Sequence, residues 1–134
     1  MTVVGPKQPI ERSTMIDIEE FTDRYVAMWN EGDPTARHDL IVELWAEDAA
    51  NFTPSFEVHG HKEIEARVMR SYDTYVAPGT YVFKAARAAA THHDVIRIDW
   101  EMIDPRSGVS ASSGTEFITL AEGRITADYQ FLNP

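Results

Sequence analysis

The spacing of apolar residues changes once along this chain, at the segment APGT over positions 77–80, and that change restricts the fold more than any other feature. Before it, apolar side chains recur about every 3.6 residues, the mark of helices that bury one face. After it they alternate, the mark of strands. Helices first and strands afterwards imply a segregated α+β architecture, since a doubly wound fold would interleave the two periods.

The helical half divides into three. Ser13 or Thr14 is placed to cap the first helix, with Asp17 and Glu19 in its first turn. Ile18, Phe21, Tyr25, Met28 and Trp29 form its apolar stripe. The segment NEGDP ends this helix and opens the next, because Asp33 can cap and Pro34 suits the first helical position. Leu40, Ile41, Leu44 and Trp45 give the second stripe. NFTPSFEVHG, short, aromatic and broken by proline, reads as a small edge hairpin. The third helix is expected from about His61 to Val76, with Ile64, Val68, Tyr72 and Val76 four apart. Four strands follow, TYVFKAARA, DVIRIDWEMID, SGTEFITLA and GRITADYQFL, separated by the turn signals THHD, DPRSG and AEGR. A twisted antiparallel meander of this kind curls, and helices on its concave face leave a cavity where the wrap does not close.

A length of 134 residues suits one core. Residues 1–13, with two prolines and a glycine, read as a loose arm before a single domain over 14–134. No apolar run approaches the roughly 20 residues of a membrane span, and no signal peptide is evident. The absence of cysteine removes disulfides and thiolate chemistry, and a cytoplasmic home is expected. A net charge of −10 argues against nucleic acid as a partner, since phosphate binding needs clustered cations.

Histidines offer little. His92 and His93 sit at an expected hairpin tip and, in an extended chain, point to opposite sides, so they do not suit one metal ion. His59 and His61 lie where the edge hairpin meets a helix, a candidate cavity rim. On DVIRIDWEMID, Ile96, Ile98, Trp100 and Met102 share the face expected to pack on the helices. Val95, Arg97, Asp99, Glu101 and Ile103 share the other, expected to meet solvent or a partner subunit. No nucleotide fingerprint, phosphate loop or nucleophile elbow is present, so no cofactor is expected.

Four segments in order, YVAMWNEGDP, ELWAEDAANFTP, VHGHKEIEARV and EGRITADYQF, resemble landmarks of the nuclear-transport-factor-2-like superfamily, and within it the SnoaL-like group of polyketide-cyclase relatives. The resemblance spans about residues 15–134. It implies a cone-shaped half-barrel, three helices on a curved, mainly antiparallel sheet, with an apolar-lined pocket and a homodimer through the outer sheet face. It does not fix function, since the fold hosts isomerases, cyclases, dehydratases and transport adaptors. In the cyclases it implies an acid–base aspartate on the last strand and a histidine on the strand before. Those positions align with Gln130 and Glu116, and glutamine cannot exchange protons usefully.

Chemistry on such a fold needs a carboxylate in a dry pocket and a donor for a developing enolate. Glu116 shares a strand face with Ile118 and Leu120, so it has either a function or a buried partner. Asp128 is open. Strict alternation groups it with Thr126, Gln130 and Leu132 and puts it outside, whereas an outer face serving as an interface would accommodate Tyr129 and Phe131 and leave Asp128 inside. Tyr25, Trp29, Phe52, Phe56, Tyr72 and Trp100, with His59 and Gln130, are the expected ligand contacts, Tyr25 and Tyr72 as donors to a carbonyl. Three readings stand: cofactor-free isomerisation, cyclisation or hydration of an apolar carbonyl compound; ligand binding without turnover; and a protein-interaction module.

Overall fold

The structure, a computed structural model, describes residues 17–134. The expected arm over 1–13 and the caps at Ser13 or Thr14 lie outside these residues. Helix α1 runs Ile18–Asn30 and is capped by Asp17, whose carboxylate accepts from the backbone N–H groups of Glu19 and Glu20 at 3.0 and 3.1 Å. Asp17 is therefore the cap itself, not a first-turn residue as the sequence suggested. Its charge satisfies two orphan donors at the positive end of the helix. Helix α2, Pro34–Leu44, is capped by Asp33 with proline at its first position, as expected.

Strand β1 is Trp45–Phe52, so Trp45 opens a strand and does not close a helical stripe. Strand β2 is Glu57–His59, and helix α3 is Gly60–Ser71. A π-turn over Tyr72–Val76 follows, closed by Ala77 N–H donating to Tyr72 C=O at 2.9 Å. It interrupts the i+4 stripe expected to continue to Val76: Ile64 and Val68 are buried, whereas Tyr72 and Val76 are only half-buried. The remaining strands are β3 Val82–Ala85, β4 Ala90–His92, β5 Val95–Ile103, β6 Ser110–Ala121 and β7 Arg124–Leu132.

One sheet holds all seven strands in the order β2-β1-β7-β6-β5-β3, with β4 beside β5. Every pairing is antiparallel except β1 with β7. The NFTPSFEVHG hairpin thus has only β2 at the edge. Its first strand is longer than expected and lies inside the sheet, because Trp45, Ala49 and Ala50 are buried there. The short β4 was expected to be part of a turn. His93 and Asp94, with φ of 51° and 61°, form the tight link between β4 and β5. That reversal brings the Nδ1 atoms of His92 and His93 to 3.0 Å, correcting the expectation that the two rings point apart. No helix among the described residues is long and apolar enough to cross a membrane.

The helices cover one face of the curved sheet. Phe21, Tyr25 and Met28 of α1, Ile41 and Leu44 of α2, and Ile64 and Val68 of α3 meet Ile96, Ile98, Ile118, Leu120 and Ile125 of the strands. As expected, Ile96 and Ile98 face this core. On β7 the alternation breaks. Thr119 pairs with Ala127 but Leu120 pairs with Ile125, which leaves Thr126 as an extra residue. This β-bulge is tied across the strands, where the Thr126 and Thr119 hydroxyls lie 2.7 Å apart and Thr126 Oγ1 donates to Thr119 C=O at 3.1 Å. Ile125 before the bulge and Asp128 after it both face inward.

Gly114 of β6 lies under the indole of Trp100, its cross-strand partner. A Cβ there would come within 2.5 Å of Trp100 Cζ2 and 2.9 Å of the Phe131 carbonyl oxygen, and the latter is backbone that cannot rotate away. Gly114→Ala is expected to cost about 1–3 kcal/mol of stability, the usual range for overpacking. A urea titration that finds an unchanged midpoint would contradict this packing.

Candidate active site

Along β5, β6 and β7 the interior changes character at one level. Ile98 pairs with Glu116, and Glu116 pairs with Gln130. On one side of this row lie Ile96, Ile118, Leu120 and Ile125, packed solid. On the other, Trp100, Met102, Ser112 and Leu132 line a cavity of about 280 Å³ together with Glu116 and Gln130. Tyr25 and Trp29 of α1, Phe56 of the β1–β2 loop, Arg67 of α3 and Phe83 of β3 complete the wall. Asn30 holds β3 in place: its side chain accepts from Phe83 N–H at 2.9 Å and donates to Phe83 C=O at 2.8 Å. That clasp sets the Phe83 ring between Trp29 and Trp100, with centroids 6.5 and 5.8 Å away.

Glu116 is only 2% exposed. Its Oε2 accepts from Trp100 Nε1 at 2.8 Å, and its Oε1 lies 3.3 Å from the Tyr25 hydroxyl. Asp128, fully buried, sits two pairs deeper, opposite Ile118, and its Oδ2 also bonds the Tyr25 hydroxyl. Among the described residues, Asp128 Oδ1 has no hydrogen-bond partner. Burial pushes the Asp128 carboxyl well above its ordinary range, and the nearby Glu116 carboxylate adds to the rise; Tyr25 and Arg67 offset part of it. Burial, with the two acids beside it, likewise pushes the Tyr25 hydroxyl up.

These directions select a proton arrangement. Tyr25 has one proton and two carboxyl neighbours, so it cannot donate to both. With Asp128 neutral, the Asp128 carboxyl donates to Tyr25 Oη and Tyr25 donates to Glu116 Oε1. Trp100 satisfies the second Glu116 oxygen. Oδ1 is then an unpaired carbonyl oxygen, which costs far less in a dry interior than an unpaired carboxylate oxygen. Two acids are thus buried together around one tyrosine hydroxyl, and burial favours the protonated form of Asp128.

Of the residues picked out in the sequence, Glu116, Tyr25, Trp29, Phe56, Trp100 and Gln130 border the cavity, and Asp128 lies directly beneath it. Three lie elsewhere. Phe52 follows the inward-facing Asn51 on β1, so it turns to the outer sheet face and stacks on Tyr129 with centroids 4.8 Å apart. His59 is exposed at the end of β2, with Nε2 at 2.8 Å from Glu57 Oε2. Tyr72 is drawn toward Gly32 by the π-turn and lies under the Arg37 guanidinium, 4.9 Å from its ring centre. His61 binds the Trp45 carbonyl oxygen at 2.8 Å. Arg67 was not picked out, though its signal was present: a cation at the i+3 position from Ile64, inside the stripe Ile64, Val68, Ser71.

Comparison with known proteins decides the family. The model of the SnoaL-like domain matches residues 22–127. The chain belongs to the SnoaL-like family. A SnoaL-like protein from Agrobacterium tumefaciens, provisionally named an isomerase, is 30% identical over 87% of this chain and 97% of its own, with a TM-score of 0.79. A SnoaL-like protein of unknown function from Burkholderia thailandensis covers 94% of this chain and all of its own at 15% identity and TM-score 0.68. A Sinorhizobium meliloti protein provisionally named a polyketide cyclase covers 91% and 100% at 15% identity and TM-score 0.65. No curated protein matches the chain. In this SnoaL-like chain the residue on the last strand facing Glu116 is Gln130, and the acid of that strand, Asp128, lies two residues earlier.

The buried acid makes stability depend on pH. Asp128 holds its proton more tightly folded than unfolded, so its own contribution to stability is fully present below the ordinary carboxylate value of 3.8 and is lost as pH rises through the raised folded value. Asp128→Asn keeps the shape and removes the titration. The variant is expected to gain on the wild type steadily from pH 4.5 to pH 8 in urea unfolding. Parallel stability curves over that range would rule out a buried neutral Asp128.

Proposed function

We propose that this SnoaL-like protein binds a flat, apolar carbonyl compound in the cavity and moves a proton at the carbon next to its carbonyl, as an isomerase or cyclase does. Glu116 is the base. The observation that carries this reading is its position: a carboxyl group at the cavity floor, 2% exposed, oriented by the Trp100 indole and backed by Tyr25 and the buried Asp128. The apolar walls hold a bound molecule against the carboxylate and limit access of water to the reacting atoms. When Glu116 takes the substrate proton it becomes neutral and its hold on the Tyr25 proton weakens. The Tyr25 hydroxyl is then free to donate to the enolate oxygen while Asp128 donates to Tyr25 from below. Return of the Glu116 proton to a different carbon completes an isomerisation, with no cofactor in the cycle.

2-Tetralone, a flat ketone with acidic α-protons, probes this directly. Deuterium incorporation at C1 in D2O, followed by mass spectrometry, is expected to exceed the buffer rate. Glu116→Gln, which retains volume and an acceptor for Trp100, should lower the enhancement by about 10²–10⁴, the usual worth of a general base. Exchange at the wild-type rate in that variant would remove Glu116 from the chemistry. Gln130, at the position where the cyclases carry their aspartate, favours a second reading, binding without turnover. Tight binding of the ketone with exchange no faster than buffer is the result that reading requires.

The outer sheet face supports the homodimer expected from the family. Phe117, Tyr129 and Phe131 are exposed on it, Phe131 by 59%, and Phe117 packs edge-on against Phe131. Beside them Asp99 accepts from Arg87, Arg97 and Thr115 at 2.7, 3.0 and 2.7 Å. Burial would raise this acid, but those bonds and the two cations outweigh it and hold Asp99 below its ordinary value. Asp99 is thus tied down by its neighbours, and the exposed aromatic side chains form the apolar part of the face. Sedimentation should find a dimer for the wild type and a monomer for Phe131→Asp; a monomeric wild type would end the proposal.

A further inference from the structure

Arg67 is a cation built into the cavity wall with most of its donors unused. Its guanidinium lies over the rings of Trp29 and Phe56, 5.3 and 5.2 Å from their centres. Its Nε donates to Asn51 Oδ1 at 3.2 Å. Asn51 is itself 2% exposed and fixed by donating to the Asp128 carbonyl oxygen at 3.3 Å. Ring contacts and the Nε bond therefore set both the plane and the direction of the group. Among the described residues, no carboxylate lies within ion-pair distance of Arg67, and its two terminal nitrogens have no acceptor. A half-buried guanidinium held flat, with two parallel donors free and facing a cavity, matches the geometry of a carboxylate.

We infer that the ligand of this cavity is an apolar aromatic or alicyclic carboxylic acid, its carboxylate paired with the Arg67 terminal nitrogens and its ring between Trp29, Phe83 and Trp100. Arg67 sets specificity by rejecting neutral isosteres, for which its fork would be buried without an acceptor. A second guanidinium, that of Arg70, lies 5.3 Å from the centre of the Phe56 ring, so two cations flank one residue of the cavity wall in a chain of net charge −10. That local sign favours entry of an anion which the rest of the surface repels. The carboxylate end of this inference stands on Arg67 alone. Only the added statement that such an acid also carries the reacting carbonyl, as a keto acid, rests on the proposed role of Glu116.

The test uses two probes of equal shape, 2-naphthoate and 2-naphthamide, titrated calorimetrically at pH 7.5. The wild type is expected to bind the carboxylate at least tenfold more tightly than the amide. Arg67→Met should abolish that preference and leave amide affinity within about twofold, while Arg67→Lys, a point charge without the fork, should retain part of it. Circular dichroism of the variants checks their folding, and the wild-type preference is informative even where Arg67→Met does not fold. Equal affinity of the wild type for both probes, or equal loss of both in Arg67→Met, overturns the inference. So does Glu116-dependent exchange of 2-tetralone in a protein that binds neither probe. A carboxylate preference without any exchange supports the Arg67 site and removes only the catalytic reading.

Discussion

A single inserted residue governs the interior of this protein. Without the bulge at Thr126, strict alternation along β7 would place Ile125 and Asp128 on opposite faces, and one of them would be misplaced. With it, both point inward, Ile125 into the solid core and Asp128 to the base of the cavity. The two threonine hydroxyls that cross-link the bulge to β6 occupy the same level, so the departure from regular pairing is held by its own hydrogen bonds. Bulges recur beside active sites because they re-aim a side chain without changing the strands around it, and here the re-aimed group is the acid on which the rest of the polar network depends.

That network is stable only if its protons are apportioned. Two carboxylates at this separation in a dry interior would repel and would each lack solvation. Holding Asp128 neutral removes the repulsion and turns the acid into a donor toward Tyr25, which leaves the charge at the position nearest the cavity. Trp100 supplies an N–H that persists whether Glu116 is ionised or not, and Gly114 leaves the room that the indole needs. Arg67 contributes at longer range: among the described residues it makes no ion pair with either acid, yet its charge offsets part of the rise at Asp128. Burial in turn lowers the Arg67 pKa, so cation and acids each soften the cost of the other's desolvation without neutralising one another.

Much of this was legible in the sequence because it follows from periodicity. The change of spacing near position 79 separates helices from strands, Asp33–Pro34 marks a helix start, and the inward set Ile96, Ile98, Trp100 and Met102 follows from alternation alone. The failures arose where period arguments cease to apply. Asp128 was ambiguous because a bulge has no signature in hydrophobic alternation. His92 and His93 were given opposite directions on the premise of an extended chain, and the left-handed turn at His93 and Asp94 cancels that premise. Tyr72 left its stripe at a π-turn, and Phe52 faced outward because β1 runs parallel beside β7, a pairing that no local pattern announces. Arg67 stands within an apolar stripe, where a cation fits a long side chain reaching solvent as well as one turned into a cavity.

The register of three strands explains how one fold can carry different chemistries. The row Ile98–Glu116–Gln130 marks where solid packing gives way to cavity, so the residue types in that row and the next decide what a bound molecule meets. The cyclase pattern implied by the family places a histidine and an aspartate at this row. This chain has glutamate and glutamine there, and carries an aspartate two pairs deeper, under a tyrosine from α1. Against that expected pattern, the last-strand acid lies below the cavity, and the carboxyl group that borders the cavity stands on the neighbouring strand. A fold held by the packed end, where Ile96, Ile118 and Ile125 are fully buried, can accept such an exchange because the open end contributes little to its core. The family resemblance therefore carries the architecture intact, and the catalytic pattern has to be read afresh from the side chains at that one level.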